Sequence, residues 1–276
     1  MRQIAIYGKG GIGKSTITSN LSIALAQRKY KVIQIGCDPK RDSTRMLLYG
    51  QLKPTVLDTL RQVGEVGLTL QMIMHEGIYG IKCIECGGPE PGVGCAGRGI
   101  ITTFKLLEQM DAFKNQPDFI LYDVLGDVVC GGFALPIREG YAQEIYLVAS
   151  GEFMSLYAAN NICQGLVKFA RRGEGRLAGI IGNSRRVRNE ELLLKTFAQR
   201  IGTTLVEFIP WDDKVREAEI YRKPVLDYDP QGTFSHAMQQ LTDRILTNKD
   251  LVIPKPLSLE ELESMIQEGE IRHGTF

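Results

Sequence analysis

Gly8-Lys9-Gly10-Gly11-Ile12-Gly13-Lys14-Ser15 decides the fold. The octet follows an apolar run, Gln3–Tyr7, and opens a helical pattern over Ser15–Arg28. It fits G-x-x-x-x-G-K-[ST] at the strand–helix junction where that pattern holds phosphate. Glycines let backbone N–H groups approach phosphate oxygens that a side chain would keep away. The helix behind them adds the positive end of its dipole. In such a loop Lys14 reaches the β- and γ-phosphates and the Ser15 hydroxyl ligates Mg²⁺.

Outward from the octet, short apolar runs recur at Lys31–Ile35, Asp118–Tyr122, Glu144–Ala149, Leu177–Gly182 and Thr204–Ile209. Their nearly continuous apolar character predicts strands buried on both faces. Helical spacing covers Ser155–Arg171, Asn189–Ile201 and Thr233–Leu246. Strand alternating with helix predicts an α/β fold, a mostly parallel sheet flanked by helices with right-handed crossovers. Gly77–Gly99 is glycine-rich and helix-poor, and reads as a long functional loop. Residues 1–250 read as one P-loop ATPase domain, and 251–276 as a C-terminal extension opened by Pro254 and Pro256. Ser258–Glu261 reads as a capping box, with Leu259, Leu262 and Ile266 as the apolar stripe of a helix docked on its own domain.

Composition narrows the function. Lys+Arg is 33 and Asp+Glu 32, a net charge of +1, which excludes a strongly basic nucleic-acid binder. With 43% hydrophobic and 24% charged residues, the 276-residue chain has enough apolar side chains for a sizeable core. No apolar run approaches the roughly 20 residues that span a bilayer. Arg2–Tyr7 is too short and too strand-like for a signal peptide. The expectation is a cytoplasmic protein with neither membrane nor nucleic acid as partner.

Carboxylates and thiols complete the pattern. Asp38 ends the second strand, Asp42 follows in the loop, and Asp123 ends another strand and begins Asp123-Val-Leu-Gly-Asp127. Carboxylates at the C-terminal ends of parallel strands are placed to handle Mg²⁺ and water. Among six cysteines, Cys163 reads as core and Cys37 as structural. Cys95 and Cys130 are flanked by glycines, whose N–H groups can hydrogen-bond cluster sulfurs. Two ligands per chain hold a four-cysteine cluster only across a two-fold axis. A rival arrangement gathers Cys83, Cys86, Cys95 and Cys130 on zinc within one chain. Asp123, Asp127 and Cys130 share one short segment, so loss of a γ-phosphate would move the thiolate.

Taken together, Gly8–Thr16, Cys37–Lys40, Gly87–Gly99 and the segment from Tyr122 through Cys130 to Ala134 resemble the nitrogenase iron protein (dinitrogenase reductase) family. The resemblance continues through Pro136–Arg138, Ala142–Ile145, Tyr157–Asn161 and Asn183–Arg185, nearly the whole chain. It implies a P-loop ATPase of the deviant Walker A type and a homodimer. One [4Fe–4S] cluster would sit on its two-fold axis, held by Cys95 and Cys130 of each subunit. It implies MgATP held by Gly8, Gly10, Gly11, Ile12, Gly13, Lys14, Ser15 and Thr16, with Lys9 reaching across to the partner's nucleotide. Asp38 and Asp42 match switch I, with Asp42 near Mg²⁺. Asp123 and Asp127 match switch II, with Asp127 positioning the attacking water. Asn183, Pro210 and Asp212 match the adenine side. Arg98 matches an arginine that some members carry ADP-ribosylated, beside a docking face shared with Arg138. The tail would wrap toward the other subunit.

The implied activity takes a low-potential electron from a ferredoxin or flavodoxin and delivers it, coupled to ATP hydrolysis, to a larger catalytic protein. The chain departs from the usual pattern at Cys86, Gly182, Trp211–Asp213, Phe234 and the three arginines of Arg185–Glu190. Nitrogenase-like systems reuse this component for tetrapyrrole reduction and C–S bond cleavage, so the partner is a nitrogenase or such a reductase. Two other classes share the P-loop. A positioning ATPase needs no glycine-caged cysteines, and its membrane-binding members carry a basic C-terminal helix, whereas Leu259–Ile266 is acidic. An iron–sulfur carrier usually shows a C-terminal CxxC, absent here.

Overall fold

The computed structural model describes residues 1–88, 96–114, 116–126, 140–170 and 175–271. Among them, eight strands form one sheet: β1 (Arg2–Tyr7), β2 (Val32–Gly36), β3 (His75–Glu76), β4 (Lys82–Glu85), β5 (Phe119–Asp123), β6 (Glu144–Ala149), β7 (Arg176–Asn183) and β8 (Leu205–Ile209). Their order is β3-β4-β2-β5-β1-β6-β7-β8, and every pairing is parallel except β3 with β4. The six strands expected from apolar runs are all present, each end within one residue of its expected place. The helices are α1 (Lys14–Gln27), α2 (Val56–Gly67), α3 (Leu70–Ile73), α4 (Ala96–Gln109), α5 (Phe153–Ala170), α6 (Glu190–Arg200), α7 (Lys214–Ile220), α8 (Val225–Tyr228), α9 (Thr233–Thr247) and α10 (Leu259–Ile271).

The central strands are apolar because both faces are covered. One face packs Ile17 and Leu21 of α1 and Met238 and Leu241 of α9 against Ile4, Ile6 and Leu121 of the sheet. The other packs Phe104 of α4, Ile162 and Leu166 of α5 and Phe197 of α6 against Ile35, Ile120 and Leu147. The result is a three-layer sandwich in which α1 lies beneath the P-loop, on the face opposite α4.

Two expectations need correction. Gly77–Gly99 is not one loop: it contains β4, and α4 begins at Ala96. β4 is a strand of four residues ending in Lys82 and Glu85, too short and too polar at its ends to stand out between glycines. The apolar stripe of α10 is Leu262, Met265 and Ile266, whereas Leu259 is exposed. The capping box is as expected: Glu261 N donates to Ser258 Oγ at 3.1 Å, and Ser258 N to Glu261 Oε2 at 2.7 Å.

The extension is tied to its own chain. Val252 and Leu177 exchange backbone hydrogen bonds at 2.9 Å. The amide of Asn160, on α5, donates to Leu257 O and accepts from Leu257 N, both at 2.8 Å. Asn160 is 3% exposed, so its removal leaves both backbone groups unmet. Asn160→Ala is expected to lower stability by about 1–3 kcal/mol in urea unfolding. An unchanged midpoint would show that the Asn160 bonds to Leu257 add nothing to the fold.

Candidate nucleotide site and its switch segments

Chain connections leave β1 toward β2 on one side, and β6 flanks it on the other. The crevice at the C-terminal end of such a strand is where α/β sheets bind ligands. The P-loop fills it. Two glycines there are required by contact. Gly13 has φ 101°, and a Cβ would lie 2.5 Å from Asn183 Nδ2, which itself donates to Ile12 O at 2.7 Å. A Cβ on Gly126 would lie 2.0 Å from Gly8 O, so the segment leaving Asp123 rests directly on the P-loop backbone.

A cavity of about 250 Å³ opens over this loop, lined by Gly10, Gly11, Lys14, Ser15, Asp42 and Asp123, with Thr16 and Asp38 beside them. The Lys14 ammonium is nearly buried and donates to Lys9 O at 3.1 Å. Burial lowers its pKa, while Asp123 and Asp38 pull the other way. Asp123 is buried, and burial raises its pKa against the opposing pull of Ser15, Ser43 and Lys14. Its Oδ2 has no hydrogen-bond partner among the described residues. An unmet buried carboxylate oxygen beside a cavity lined by Lys14 and by Asp38 and Asp42 fits a hydrated Mg²⁺ and a triphosphate. Asp38 Oδ1 accepts from Lys40 N at 2.9 Å, and Asp42 is exposed at the cavity rim. Lys9 forms no ion pair among the described residues.

Below the switch I segment lies a buried polar seam that the sequence pattern did not reveal. Gln34 on β2 donates to Ser43 O at 2.9 Å and Ser43 Oγ at 3.0 Å, and accepts from Ser22 Oγ at 2.7 Å. Glu85, last in β4, accepts from Thr44 N at 2.6 Å and Thr44 Oγ1 at 2.7 Å. Burial pushes the Glu85 carboxyl up to about 8. The proton it then holds at neutrality removes an otherwise unpaired buried charge. A polar residue closing an apolar strand is the only trace of this in the sequence.

The second cavity, about 440 Å³, continues from the P-loop toward Asn183, Arg185, Pro210, Trp211, Asp212 and Phe234. Both Asp212 oxygens brace the loop: Oδ1 accepts from Lys214 N at 2.9 Å and Oδ2 from Phe234 N at 3.2 Å. Glu190 organises the facing loop, accepting from Gly151 N at 2.8 Å, Ser184 Oγ at 2.7 Å and Arg185 N at 3.0 Å. Arg185 thereby reaches Gly11 O with its guanidinium. The guanidinium carbons of Arg185 and Arg186 lie 6.0 and 5.0 Å from the Trp211 ring centre. Trp211 is 43% exposed and offers a planar face at the rim of the cavity.

The cysteines separate. Cys83 packs in the core on the α1 side, and Cys86 in the core on the α4 side, against Cys37 at 3.9 Å between sulfurs. Residues three apart on a strand point to opposite faces, so a zinc site gathering Cys83 and Cys86 with Cys95 and Cys130 is ruled out. Among the described residues no group of three metal-ligating side chains converges. Cys163 is core, as expected. Arg98 is exposed in the first turn of α4. Cys95, Asp127, Cys130 and Arg138 lie outside the described residues.

The raised Glu85 carboxyl has a pH consequence. The folded chain keeps a proton there that the unfolded chain releases near 4.5. Stability from this group therefore falls as pH rises from 4.5 through about 8, and is level above that. Asp123, also raised, acts in the same direction. The urea midpoint is expected to decline over this window, and less steeply in Glu85→Gln; equal slopes would show that the carboxyl is ionised in the fold.

Comparison with known proteins agrees with this geometry. The chain is 57% identical over 267 residues to the nitrogenase iron protein of Methanospirillum hungatei, covering 96% of this chain and 95% of that protein. It is 52% identical to nitrogenase iron protein 1 of Methanothermobacter thermautotrophicus, covering 96% and 97%. The fold is similar to that of the septum site-determining protein MinD of Pyrococcus horikoshii, solved with Mg-ADP. That match has a TM-score of 0.70 at 21% identity, over 89% of this chain and 96% of that one. A ParA family ATPase of Chlorobium tepidum is similar with a TM-score of 0.66 at 19% identity, over 87% and 97%. At such identity these two show the fold alone. Residues 2–272 match the NifH/frxC family of 4Fe-4S iron sulfur cluster binding proteins, and the chain belongs to that family.

Proposed function

We propose that the chain delivers single low-potential electrons to a nitrogenase or a nitrogenase-like reductase. Family membership carries the class: an ATP-hydrolysing reductase component, a homodimer that binds a [4Fe–4S] cluster between its subunits and uses MgATP, acting on a larger catalytic protein. The observation that supports the coupling is the contact of Gly126 with Gly8. The segment that leaves the Mg²⁺-side carboxylate Asp123 lies on the P-loop and continues to Cys130.

The residues divide the work. Gly8 to Gly13 present backbone N–H groups to the phosphates, Lys14 neutralises their charge, and Ser15 with Asp42 faces the metal. Asp38 and Asp127 stand to orient the attacking water, and Lys9 to reach the partner subunit's nucleotide. Asn183, Pro210, Trp211 and Phe234 face the base. Cys95 and Cys130 are the cluster ligands of this reading, and the cluster supplies one-electron chemistry. Arg98 and Arg138 mark the docking face, and residues 251–276 complete the dimer. The electron donor is a ferredoxin or flavodoxin. The described cysteines are free thiols, which suits a cytoplasmic setting, and no helix of the described residues is long and apolar enough to cross a membrane.

Cys130→Ala is expected to lose the cluster iron and keep a dimer that binds MgADP. Full iron retention would remove Cys130 from the ligand set. Lys9→Ala is expected to lower partner-coupled ATP hydrolysis by at least about tenfold while changing MgADP affinity far less, as loss of a charge acting in the transition state does. Unchanged coupled turnover would defeat its role across the dimer.

A further inference from the structure

Switch I and the exit of β4 meet along a seam. Thr44 gives both its N–H and its hydroxyl to one oxygen of Glu85, at 2.6 and 2.7 Å. Glu85 occupies room left by the register partner on β2: a Cβ on Gly36 would lie 2.1 Å from Glu85 Oε2 and 2.7 Å from Ser43 Cβ. Beyond Glu85, Gly88 lies against switch I, where a Cβ would come 2.7 Å from Pro39 Cβ. A surface route runs in parallel. Arg41 pairs with Asp58 at 3.1 Å, Asp58 with Arg61 at 2.5 Å, and Arg61 donates to Gly88 O at 3.2 Å.

The two routes differ in weight. Half-exposed ion pairs are screened and contribute little. The Glu85 bonds are buried, and losing them leaves polar groups without water. Ser43 is held from the other side by Gln34 and by Ser19, whose hydroxyl donates to Ser43 O at 2.9 Å. The Ser43–Thr44 turn is therefore gripped between β2 and β4, directly after Asp42. Glu85 itself is buried and lines neither of the two cavities described above.

We propose that Glu85 is a positioning residue that passes nucleotide-dependent movement of the Asp38–Thr44 segment into the Cys86–Gly88 strand exit. The chain beyond that exit leads to Cys95. This inference rests on the nucleotide-site reading above. It adds a route through switch I and β4 to the one running from Asp123 toward Cys130.

The test is hydrogen exchange by mass spectrometry on the anaerobically purified dimer, with MgADP and with the Mg complex of the β,γ-methylene ATP analogue. In the wild-type protein, peptides covering 82–100 should exchange differently in the two states. Glu85→Leu is expected to shrink that difference by at least about fivefold, the size that loss of buried hydrogen bonds produces, with MgADP affinity within about threefold of wild type. Glu85→Gln keeps an acceptor for Thr44 and should retain the difference. A wild-type difference in Glu85→Leu would overturn the proposal. If that variant does not fold, Thr44→Val removes the hydroxyl donor, and an undiminished difference there would overturn it equally. Failure of the wild-type chain to bind MgADP would instead defeat the nucleotide-site reading.

Discussion

A carboxylate with no charge partner at bonding distance, buried at the end of a central strand, is the constraint on which the rest depends. Asp123 closes β5 next to the P-loop, one oxygen unmet, lining a cavity that Lys14 also lines. Ser15, Ser43 and Lys14 offset part of its burial, but an unmet polar atom in an apolar setting costs several kcal/mol, about 2–7 on transfer scales for an uncharged polar group and more for a charge. In the proposed function, Mg²⁺ and its water offset that cost when nucleotide binds. The same carboxylate opens the segment that runs on in sequence to Cys130, so the group proposed to face the metal is covalently joined to the cysteine proposed as a cluster ligand.

The sheet divides the remaining chemistry by face. On the α1 side, Gln34, Gly36 and Glu85 replace apolar side chains near the C-terminal edge and hold switch I. On the α4 side, Cys37 and Cys86 sit among apolar neighbours, and the contact with Cys86 together with burial pushes the Cys37 thiol well up. Strand alternation enforces the division: neighbouring residues Glu85 and Cys86 serve opposite layers. Polar groups in a sheet core are stable only if nearly every bond is made, and in the seam of Gln34, Ser43, Thr44 and Glu85 the side-chain atom left without a partner is Glu85 Oε2.

Much of this was legible in the sequence because it is local. Strands buried on both faces leave continuous apolar runs, so β1, β2, β5, β6, β7 and β8 were visible at once. The P-loop declares itself because its chemistry needs consecutive residues. Cys95 and Cys130 as proposed cluster ligands rest on the family resemblance, since glycine-flanked cysteines alone fit zinc as well. What stayed hidden is non-local. β4 is too short for periodicity to register. Glu85 and Glu190 acquire their partners only when the fold brings Thr44 and Arg185 to them. Leu259 shows the converse: it has the right spacing for the core stripe of α10, yet α5 and α6 meet the helix one position further round, at Leu262 and Met265.

The account therefore has one central claim, that the nucleotide site and the cluster respond to each other through segments packed on the P-loop and switch I. Binding linkage makes such coupling reciprocal: if nucleotide changes the cluster's electronic state, the cluster's state changes nucleotide affinity. The most direct measurement is a redox titration of the anaerobically purified dimer, followed by electron paramagnetic resonance, without nucleotide and with MgATP. The account predicts a one-electron cluster couple whose midpoint potential moves when MgATP binds. An identical potential in both titrations, with MgATP shown to be bound, would contradict it.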